Sequence, residues 1–184
     1  MTEFDVEAAA ASVAADLETG IVVIDGPSGA GKTTFADALM RALAARRTHA
    51  ALVRTDEFAT WDDPAGWWPE LEREVLRAFT RGHDFRHRPR VWSGDTAEPG
   101  PRVWRRWEPL LVIEGVTSAR RRVADRVAMS LWIDGEDREA RLERAVARDG
   151  ESARSHLRRW QDFETGWFAV DRTRERCRVL DVTK

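Results

Sequence analysis

The sequence predicts an α/β fold in three layers, a mainly parallel five-stranded sheet with helices on both faces. Two observations carry this prediction. Short apolar runs, often rich in branched side chains, alternate along the chain with segments that have apolar residues at helical spacing. A glycine-rich loop, residues 26–31, joins the first of those runs to the helical segment that follows it. Alternating strands and helices favour a parallel sheet whose ligand site lies at the carboxyl ends of the strands.

Apolar patterning predicts the order of the elements. The first half of the chain is predicted to contain a helix over 4–17, a strand over 21–24, a helix over 33–45, a strand over 50–54, a turn-rich aromatic loop over 61–69 and a helix from about Leu71 to Gly82. The second half is predicted to contain a strand over 110–113, a short helix capped by Ser118 that ends near Val123, a strand over 127–133, helices over 137–148 and 152–170, and a last strand over 178–182.

Residues 83–109 lie between these two halves and have little periodicity. They carry scattered glycine, proline and tryptophan. A stretch of this length is too long for a passive connection, so we expect a binding segment or a short hairpin there. The whole chain of 184 residues has the length of a single domain.

Composition excludes several classes of protein. The net charge of −2 provides no basic field for nucleic acid, and no apolar run approaches the length of a membrane-spanning helix. Residues 1–16 are acidic and alanine-rich, without the basic start of a signal peptide. Cys177 is the only cysteine, so no disulfide can form within the chain. We therefore expect a cytoplasmic protein that binds neither nucleic acid nor membranes, and the sequence leaves its oligomeric state open.

Residues 26–33 fit G-x-x-x-x-G-K-[ST], the phosphate-binding P-loop, between a predicted strand and a predicted helix. The glycines let backbone N–H groups approach phosphate oxygens. Lys32 is expected to reach the β- and γ-phosphates of ATP and to act in catalysis, and the Thr33 hydroxyl is expected to bind Mg²⁺. The predicted nucleotide contacts in the loop are Gly26, Ser28, Gly29, Ala30, Gly31, Lys32, Thr33 and Thr34. The alternative is a glycine-rich turn without a ligand. Lys32 and Lys184 are the only lysines in an arginine-rich chain, which favours the phosphate interpretation.

Two acidic residues follow predicted strands and are expected at the same sheet edge as the P-loop. Asp56 follows the second strand, and Glu114 follows the third. Mg²⁺ takes oxygen ligands and usually one or two carboxylates, so Thr33, Asp56 and Glu114 are the predicted metal ligands. Asp56 is also the predicted catalytic base, which would accept the proton of an acceptor hydroxyl. The alternative for both acids is a structural role, such as a helix cap or a surface charge.

The predicted helix 137–148 carries Arg138, Arg141, Arg144 and Arg148 at spacings of three and four. Such a cluster can close over a triphosphate and stabilise charge on the transferring phosphoryl group. Arg141 and Arg144 are the predicted catalytic members, and Arg144 and Arg148 are predicted to contact ATP. The alternative is a solvated face on which these arginines pair with neighbouring acids.

Aromatic residues cluster between the second and third predicted strands. They are expected to line a pocket for a flat or apolar acceptor. The predicted acceptor contacts are Asp56, Trp61, Trp68, Phe85, Arg88 and Trp92. The alternative is that the indoles fill the core.

These motifs together resemble the uridine kinase-like P-loop kinases, a group that includes relatives of phosphoribulokinase and pantothenate kinase. The matching stretches are 26–34 (GPSGAGKTT), 55–58 (TDEF), 62–68 (DDPAGWW), 112–115 (VIEG), 141–149 (RLERAVARD) and 160–168 (WQDFETGWF). The resemblance implies a P-loop NTPase fold with ATP at residues 29–34, Mg²⁺ near Thr33 and Glu114, catalytic Asp56 and lid arginines at 141, 144 and 148. The single domain would then contain an acceptor-binding segment over about 58–108 and a lid region over about 136–154.

The acceptor segment departs from the nucleoside kinases of that group. Those enzymes carry a Tyr-Asp-aromatic signature after a proline. Here Pro89 is followed by Arg90, Val91 and Trp92, and the chain contains no tyrosine. This difference argues against uridine or cytidine as the acceptor.

The predicted function is transfer of the γ-phosphate of Mg-ATP to a hydroxyl of a small molecule. The alternative is a P-loop nucleotide-binding protein or ATPase without small-molecule kinase activity. Two further classes are excluded by missing motifs. The chain contains no asparagine, so the N-K-x-D guanine-reading motif of GTPase switches is absent, and it has no L-S-G-G-Q-like signature of transporter ATPases.

Overall fold

Five parallel strands form the central sheet in the part of the chain that the computed structural model describes, residues 5–93, 96–135 and 137–181. The strands in chain order are β1 (Gly20–Asp25), β2 (Ala50–Arg54), β3 (Phe85–His87), β4 (Arg90–Ser93), β5 (Thr96–Pro99), β6 (Val103–Arg105), β7 (Leu110–Glu114), β8 (Met129–Asp134) and β9 (Arg178–Asp181). The order in the central sheet is β2–β7–β1–β8–β9. The predicted parallel α/β fold is therefore confirmed. Val182, the last residue of the predicted final strand, lies outside the described residues.

The register of the central strands aligns their carboxyl ends. Glu114 of β7 lies opposite Ile24 of β1 on one side and opposite Arg54 of β2 on the other. The three loops that leave these strands therefore begin at the same edge of the sheet. This alignment brings the P-loop, the residues after β2 and the end of β7 together.

Hydrophobic cores on both faces of the sheet give the molecule its three layers. Side chains alternate along β7, so Leu110 and Val112 face one core, whereas Leu111 and Ile113 face the other. The helices in chain order are α1 (Val6–Ala15), α2 (Lys32–Ala45), α3 (Trp68–Leu71), α4 (Arg77–Phe79), α5 (Arg138–Asp149) and α6 (Arg154–Asp171). Helices α1 and α2 cover the first face, and the segment from α3 to α4, together with Trp160 of α6, covers the second.

Most helices begin or end within a few residues of their predicted bounds. Helix α1 begins after Asp5, whose carboxylate accepts the N–H of Ala8 at 3.0 Å, and Phe4 of the predicted helix lies outside the described residues. Helices α3 and α4 are joined by a π-helical turn, Glu72–Leu76, into one continuous helical segment. The predicted aromatic loop over 61–69 therefore ends earlier than expected, because Trp68 already belongs to the helix.

The segment between the two halves is more ordered than its composition predicts. It forms two antiparallel ladders, β3 with β6 and, nested inside it, β4 with β5. The sequence predicts a binding segment or a short hairpin here, and the structure contains two ladders. Phe85 and His87 are buried while Arg86 between them is exposed, so the strand periodicity is present but extends over only three residues.

The prediction of a short helix capped by Ser118 is wrong. The Ser118 side chain is buried, and its hydroxyl donates to the carbonyl oxygen of Ile24 at 3.0 Å. A short 3₁₀ helix, Arg121–Arg126, follows instead. The hydroxyl is used to attach the loop after β7 to the end of β1, so it is not available to cap a helix.

The lid region contains α5, a 3₁₀ turn over Glu151–Ala153 and the start of α6, with Glu136 outside the described residues. Helix α5 begins after Asp137, whose carboxylate accepts the Ala140 N–H at 2.9 Å. Among the helices of the described ranges, none is both long and apolar enough to cross a bilayer.

Candidate active site

A cavity of about 720 Å³ lies at the carboxyl edge of the sheet. The P-loop contributes what we call the phosphate end, and α5, α6 and residues at or just after the carboxyl ends of β2 and β7 contribute to the rest of the lining. Its lining consists of Ser28, Gly29, Gly31, Lys32, Thr33, Thr34, Arg54, Asp56, Trp61, Trp92, Glu114, Gly115, Val116, Arg144, Ala145, Arg148, Asp149, Leu157 and Trp160. This volume is in the range of small-molecule and cofactor sites.

The P-loop turns through backbone conformations that favour glycine. Gly29 has φ 73°, and a Cβ there would lie 2.5 Å from the carbonyl oxygen of Arg141 in α5. Gly31 has φ 95° and precedes the first turn of α2. The loop is therefore specified both by its own turn and by the close approach of α5.

Lys32 is buried at the start of α2, with only 7 % of its surface exposed. Its ammonium donates to the carbonyl oxygen of Pro27 at 2.9 Å, so the side chain folds back along the loop. It is the sole lysine among the described residues. Its charge lowers the pKa values of three buried carboxyls, those of Asp25, Glu114 and Glu164, against the effect of burial.

Glu114 stands between Thr33 and Arg54. The Thr33 hydroxyl donates to its carboxylate at 3.4 Å, and the Arg54 Nε lies 3.7 Å from the same oxygen. Burial raises the pKa of Glu114 to about 7, and the charge of Asp56 adds to the rise, whereas Lys32 and Arg54 oppose it. Two oxygens bound side by side to Mg²⁺ lie about 3 Å apart. The Thr33 hydroxyl and the Glu114 carboxylate are therefore close to the separation that such a site needs.

Asp56 lies in the 3₁₀ turn Thr55–Glu57 directly after β2 and lines the cavity. Its backbone carbonyl accepts the indole N–H of Trp92 at 2.9 Å. The loop that holds Asp56 is also tied to β3, because Glu57 bonds the buried His87, which stacks on Phe58 at 5.1 Å. The acceptor segment therefore supports the Asp56 loop at two points.

The predicted arginine cluster divides into two pairs. Arg144 and Arg148 line the cavity, where Arg144 donates to the carbonyl oxygen of Gly29 at 2.7 Å and Arg148 forms two 2.6 Å bonds to Asp149. Arg141 packs behind Gly29 and is not part of the lining, and burial lowers its pKa. Arg138 is tied to α6 through Asp162 and Gln161.

Three indoles form the aromatic part of the cavity lining, which we call its aromatic end. The ring centroids of Trp61 and Trp92 are 4.9 Å apart, and those of Trp61 and Trp160 are 5.6 Å apart, both edge to face. His156 of α6 stacks on the other side of Trp61 at 5.0 Å. We refer to Trp61, Trp92 and Trp160 as the indole wall.

The other predicted acceptor contacts do not line this cavity. Trp68 is buried against Trp67 and lies beneath the guanidinium of Arg120, 4.5 Å from its ring centroid. Phe85 is buried in the hydrophobic core, and Arg88 is exposed. For Trp68 and Phe85, the structure therefore matches the alternative that aromatic side chains fill the core.

Several site residues were not identified from the sequence. Trp160 belongs to a distant helix, so no local pattern connects it to Trp61. Asp25 ends β1 and is completely buried, where it accepts the backbone N–H groups of Gly26, Thr117 and Ala119. Burial raises the pKa of Asp25 to about 7, and those N–H donors oppose the rise. Its position immediately before the P-loop was the available signal.

Glu164 is a further residue that the sequence does not reveal. It lies in α6, is only 2 % exposed, and accepts the backbone N–H of Ser28 at 3.0 Å and the Ser28 hydroxyl at 3.1 Å. Burial raises its pKa, while Lys32 and the two bonds from Ser28 lower it. The contact spans 136 residues of sequence, so only the tertiary fold brings the pair together.

Comparison with known proteins supports the fold and goes no further. Neither a protein-family model nor a curated protein sequence matches the chain. Among solved structures, a Bacillus stearothermophilus protein described as a possible uridine kinase has a TM-score of 0.68 at 16% identity, with 95% of each chain covered. A Silicibacter sp. TM1040 protein, provisionally assigned as a fructose transport system kinase, has a TM-score of 0.53 at 20% identity, with 96% of this chain and 97% of that chain covered.

These matches show the fold of the chain. The chain has the α/β fold of the P-loop kinases, and the resemblance to uridine kinase-like members of that class is confirmed at the level of the fold. Identity of 16–20% leaves the reaction and the acceptor to be argued from this chain's own residues.

Proposed function

We propose that this protein is a small-molecule kinase, which transfers the γ-phosphate of Mg-ATP to a hydroxyl group of its acceptor. The observation that carries the proposal is one cavity with two unlike ends and Asp56 in its lining. The P-loop end carries Lys32 and the Thr33–Glu114 oxygen pair, which suit a metal-bound triphosphate. The indole wall at the other end suits an organic acceptor.

Lys32 and the P-loop backbone hold the phosphates in this mechanism. The ammonium leaves the Pro27 carbonyl oxygen and turns to the β- and γ-phosphates, where it offsets their charge. Arg144 and Arg148 lie across the cavity on α5 and add positive charge around the transferring group. Arg144 bonds the carbonyl oxygen of Gly29, which fixes it at the loop, whereas Arg148 pairs with Asp149, its neighbour in α5.

Thr33 and Glu114 fit a magnesium site, and Asp56, another carboxylate of the lining, could join them, whereas Asp149 of the lining is paired with Arg148. Mg²⁺, when bound with ATP, would neutralise charge on the β- and γ-phosphates. Glu114 must be ionised to serve as a ligand, and a pKa of about 7 lets the approach of a cation remove its proton.

Asp56 acts on the acceptor. As the acceptor oxygen forms its bond to the γ-phosphorus, the bond from that phosphorus to the β,γ-bridging oxygen breaks and ADP leaves. The acceptor hydroxyl gives its proton to the Asp56 carboxylate. The Trp92 indole, bonded to the Asp56 carbonyl oxygen, keeps the base next to the indole wall.

The indole wall favours an acceptor with a flat or apolar portion next to its hydroxyl. Indole faces and edges provide large apolar contact and little hydrogen bonding. We therefore propose an alcohol of this kind, and the missing Tyr-Asp-aromatic signature argues against uridine or cytidine.

The test is ADP release from Mg-ATP in the presence of a panel of nucleosides, sugars and pantothenate-like alcohols. We expect release to depend on one class of alcohol and to saturate with it. Nucleotide binding with no alcohol-dependent release would instead support the alternative of a P-loop protein without kinase activity.

A further inference from the structure

Glu164 is a buried carboxylate placed against the phosphate-binding loop. It reaches the loop from α6 and bonds both the backbone N–H and the hydroxyl of Ser28. Ser28 itself lines the cavity, two residues after the glycine that begins the P-loop motif. The carboxylate therefore fixes the loop directly at its nucleotide end.

The charge of Glu164 makes this contact unexpected. A loop that binds triphosphate normally gathers positive charge and N–H donors, and a buried anion beside it opposes the ligand. Burial of an acid is costly unless hydrogen bonds compensate it. The charge of Lys32 and the two bonds to Ser28 provide that compensation, so Glu164 is stabilised by the loop in place of solvent.

Helix α6 links this contact to the rest of the site. Trp160 lies one helical turn before Glu164, so the two project from the same side of α6. Trp160 belongs to the indole wall, and Leu157, another turn earlier, packs with Leu142 and Ala145 of α5. One helix therefore touches the P-loop, the acceptor end and the lid.

We propose that Glu164 is a positioning residue, which fixes the P-loop at Ser28 and thereby sets the affinity for the triphosphate. The proposal rests on the proposed function, because it needs a nucleotide at the P-loop. The reach of the side chain to Ser28, rather than its negative charge, carries the effect. Helix α6 supplies the rigid support.

Three substitutions separate reach from charge. Glu164→Gln keeps the length and one acceptor oxygen but removes the charge. Glu164→Asp keeps the charge, but its side chain is one methylene too short to reach Ser28. Glu164→Leu fills the space with a side chain that has no hydrogen-bond acceptor. Asp162→Asn on the same helix, with a side chain 67% exposed, is the matched control.

The measurement is the dissociation constant for Mg-ATP and, separately, for inorganic triphosphate, alongside the melting temperature of each variant. We expect Glu164→Asp and Glu164→Leu to weaken both ligands by about tenfold or more, the size expected for losing the two hydrogen bonds to Ser28. Glu164→Gln and Asp162→Asn should stay within about threefold of the parent. Inorganic triphosphate should show the same pattern, because Ser28 belongs to the phosphate loop.

Parental affinity in Glu164→Asp, at an unchanged melting temperature, would overturn the proposal, and so would an equal loss in Glu164→Gln and Glu164→Asp. A loss for ATP without a loss for inorganic triphosphate would also contradict it. Failure of the proposed function looks different. In that case the parent itself binds no Mg-ATP, or Lys32→Ala binds it as tightly as the parent does.

Discussion

The two ends of the cavity are built in different ways. The phosphate end consists of the P-loop, a buried lysine and buried carboxylates at the aligned ends of neighbouring parallel strands. The acceptor end consists of indoles contributed by a loop, a short antiparallel ladder and a distant helix. The predicted phosphate site is thus held by the sheet itself, whereas the proposed acceptor site depends on contacts between elements far apart in sequence.

Because the two ends are built from different residues, we expect changes at each end to affect different steps. Changes at the phosphate end should affect ATP affinity and turnover for every acceptor. Changes at the indole wall should affect the acceptor alone. Asp56 lies where the two ends meet and should affect the chemical step more than either binding step.

The largest effect is expected from Lys32→Ala. Removing the ammonium leaves the phosphates without their buried cation, so kcat/KM for ATP should fall by about 10³-fold or more, as for other phosphate-stabilising cations. Steady-state kinetics and calorimetric titration with Mg-ATP measure this. Unchanged affinity and turnover would show that Lys32 does not bind the phosphates of ATP as proposed.

Asp56→Asn should separate chemistry from binding. The amide keeps the shape but cannot accept the proton, so kcat should fall by about 10²–10⁴-fold, while ATP affinity changes by less than about tenfold. Asp62→Asn, an exposed acid on the following loop, is the control and should behave like the parent. A variant at Asp56 that turns over normally would make this residue a structural acid.

A smaller effect is expected at the indole wall. Trp92→Phe should raise the acceptor KM by about three- to tenfold, because the ring is smaller and the bond to the Asp56 carbonyl oxygen is lost, without changing ATP affinity. Tryptophan emission of the parent should respond more to the acceptor than to ATP alone. Trp104→Phe, whose ring is 64% exposed, is the control. Equal effects of Trp92→Phe on the acceptor KM and on the affinity for ATP would contradict the separate roles assigned to the two ends.

A separate effect, on stability and not on activity, concerns pH at the phosphate end. The pKa of Asp25 is about 7 in the folded protein, against an ordinary 3.8. Between these values the unfolded carboxyl is ionised while the folded one keeps its proton. The contribution of Asp25 to the free energy of unfolding therefore falls as pH rises through that window and is constant above about pH 7.

Denaturant unfolding of the parent and of Asp25→Asn at about pH 5 and about pH 7 measures this contribution. Relative to the variant, the parent should lose up to about 3 kcal/mol between the two conditions. Parallel pH dependences for the two proteins would show that Asp25 does not titrate in this range.

The same division explains what the sequence could predict. Local patterns in the sequence predict the strands of the central sheet, the P-loop and the acidic residues at the ends of β2 and β7. These parts are then expected to meet, because parallel strands bring their carboxyl ends to one edge of a sheet. Trp160 and Glu164 could not be found this way, since their partners lie far away in the chain. Trp68 and Phe85 were expected in the pocket, yet composition alone does not distinguish an aromatic wall from an aromatic core.

The central claim is that phosphate passes from the P-loop end to an alcohol at the indole wall. The most direct measurement is ³¹P NMR of the parent protein with Mg-ATP and the alcohol that stimulates ADP release. The account predicts a phosphomonoester signal that grows in step with ADP and is lost in Asp56→Asn. Inorganic phosphate growing in step with ADP, without a phosphomonoester, would contradict it and identify water as the acceptor.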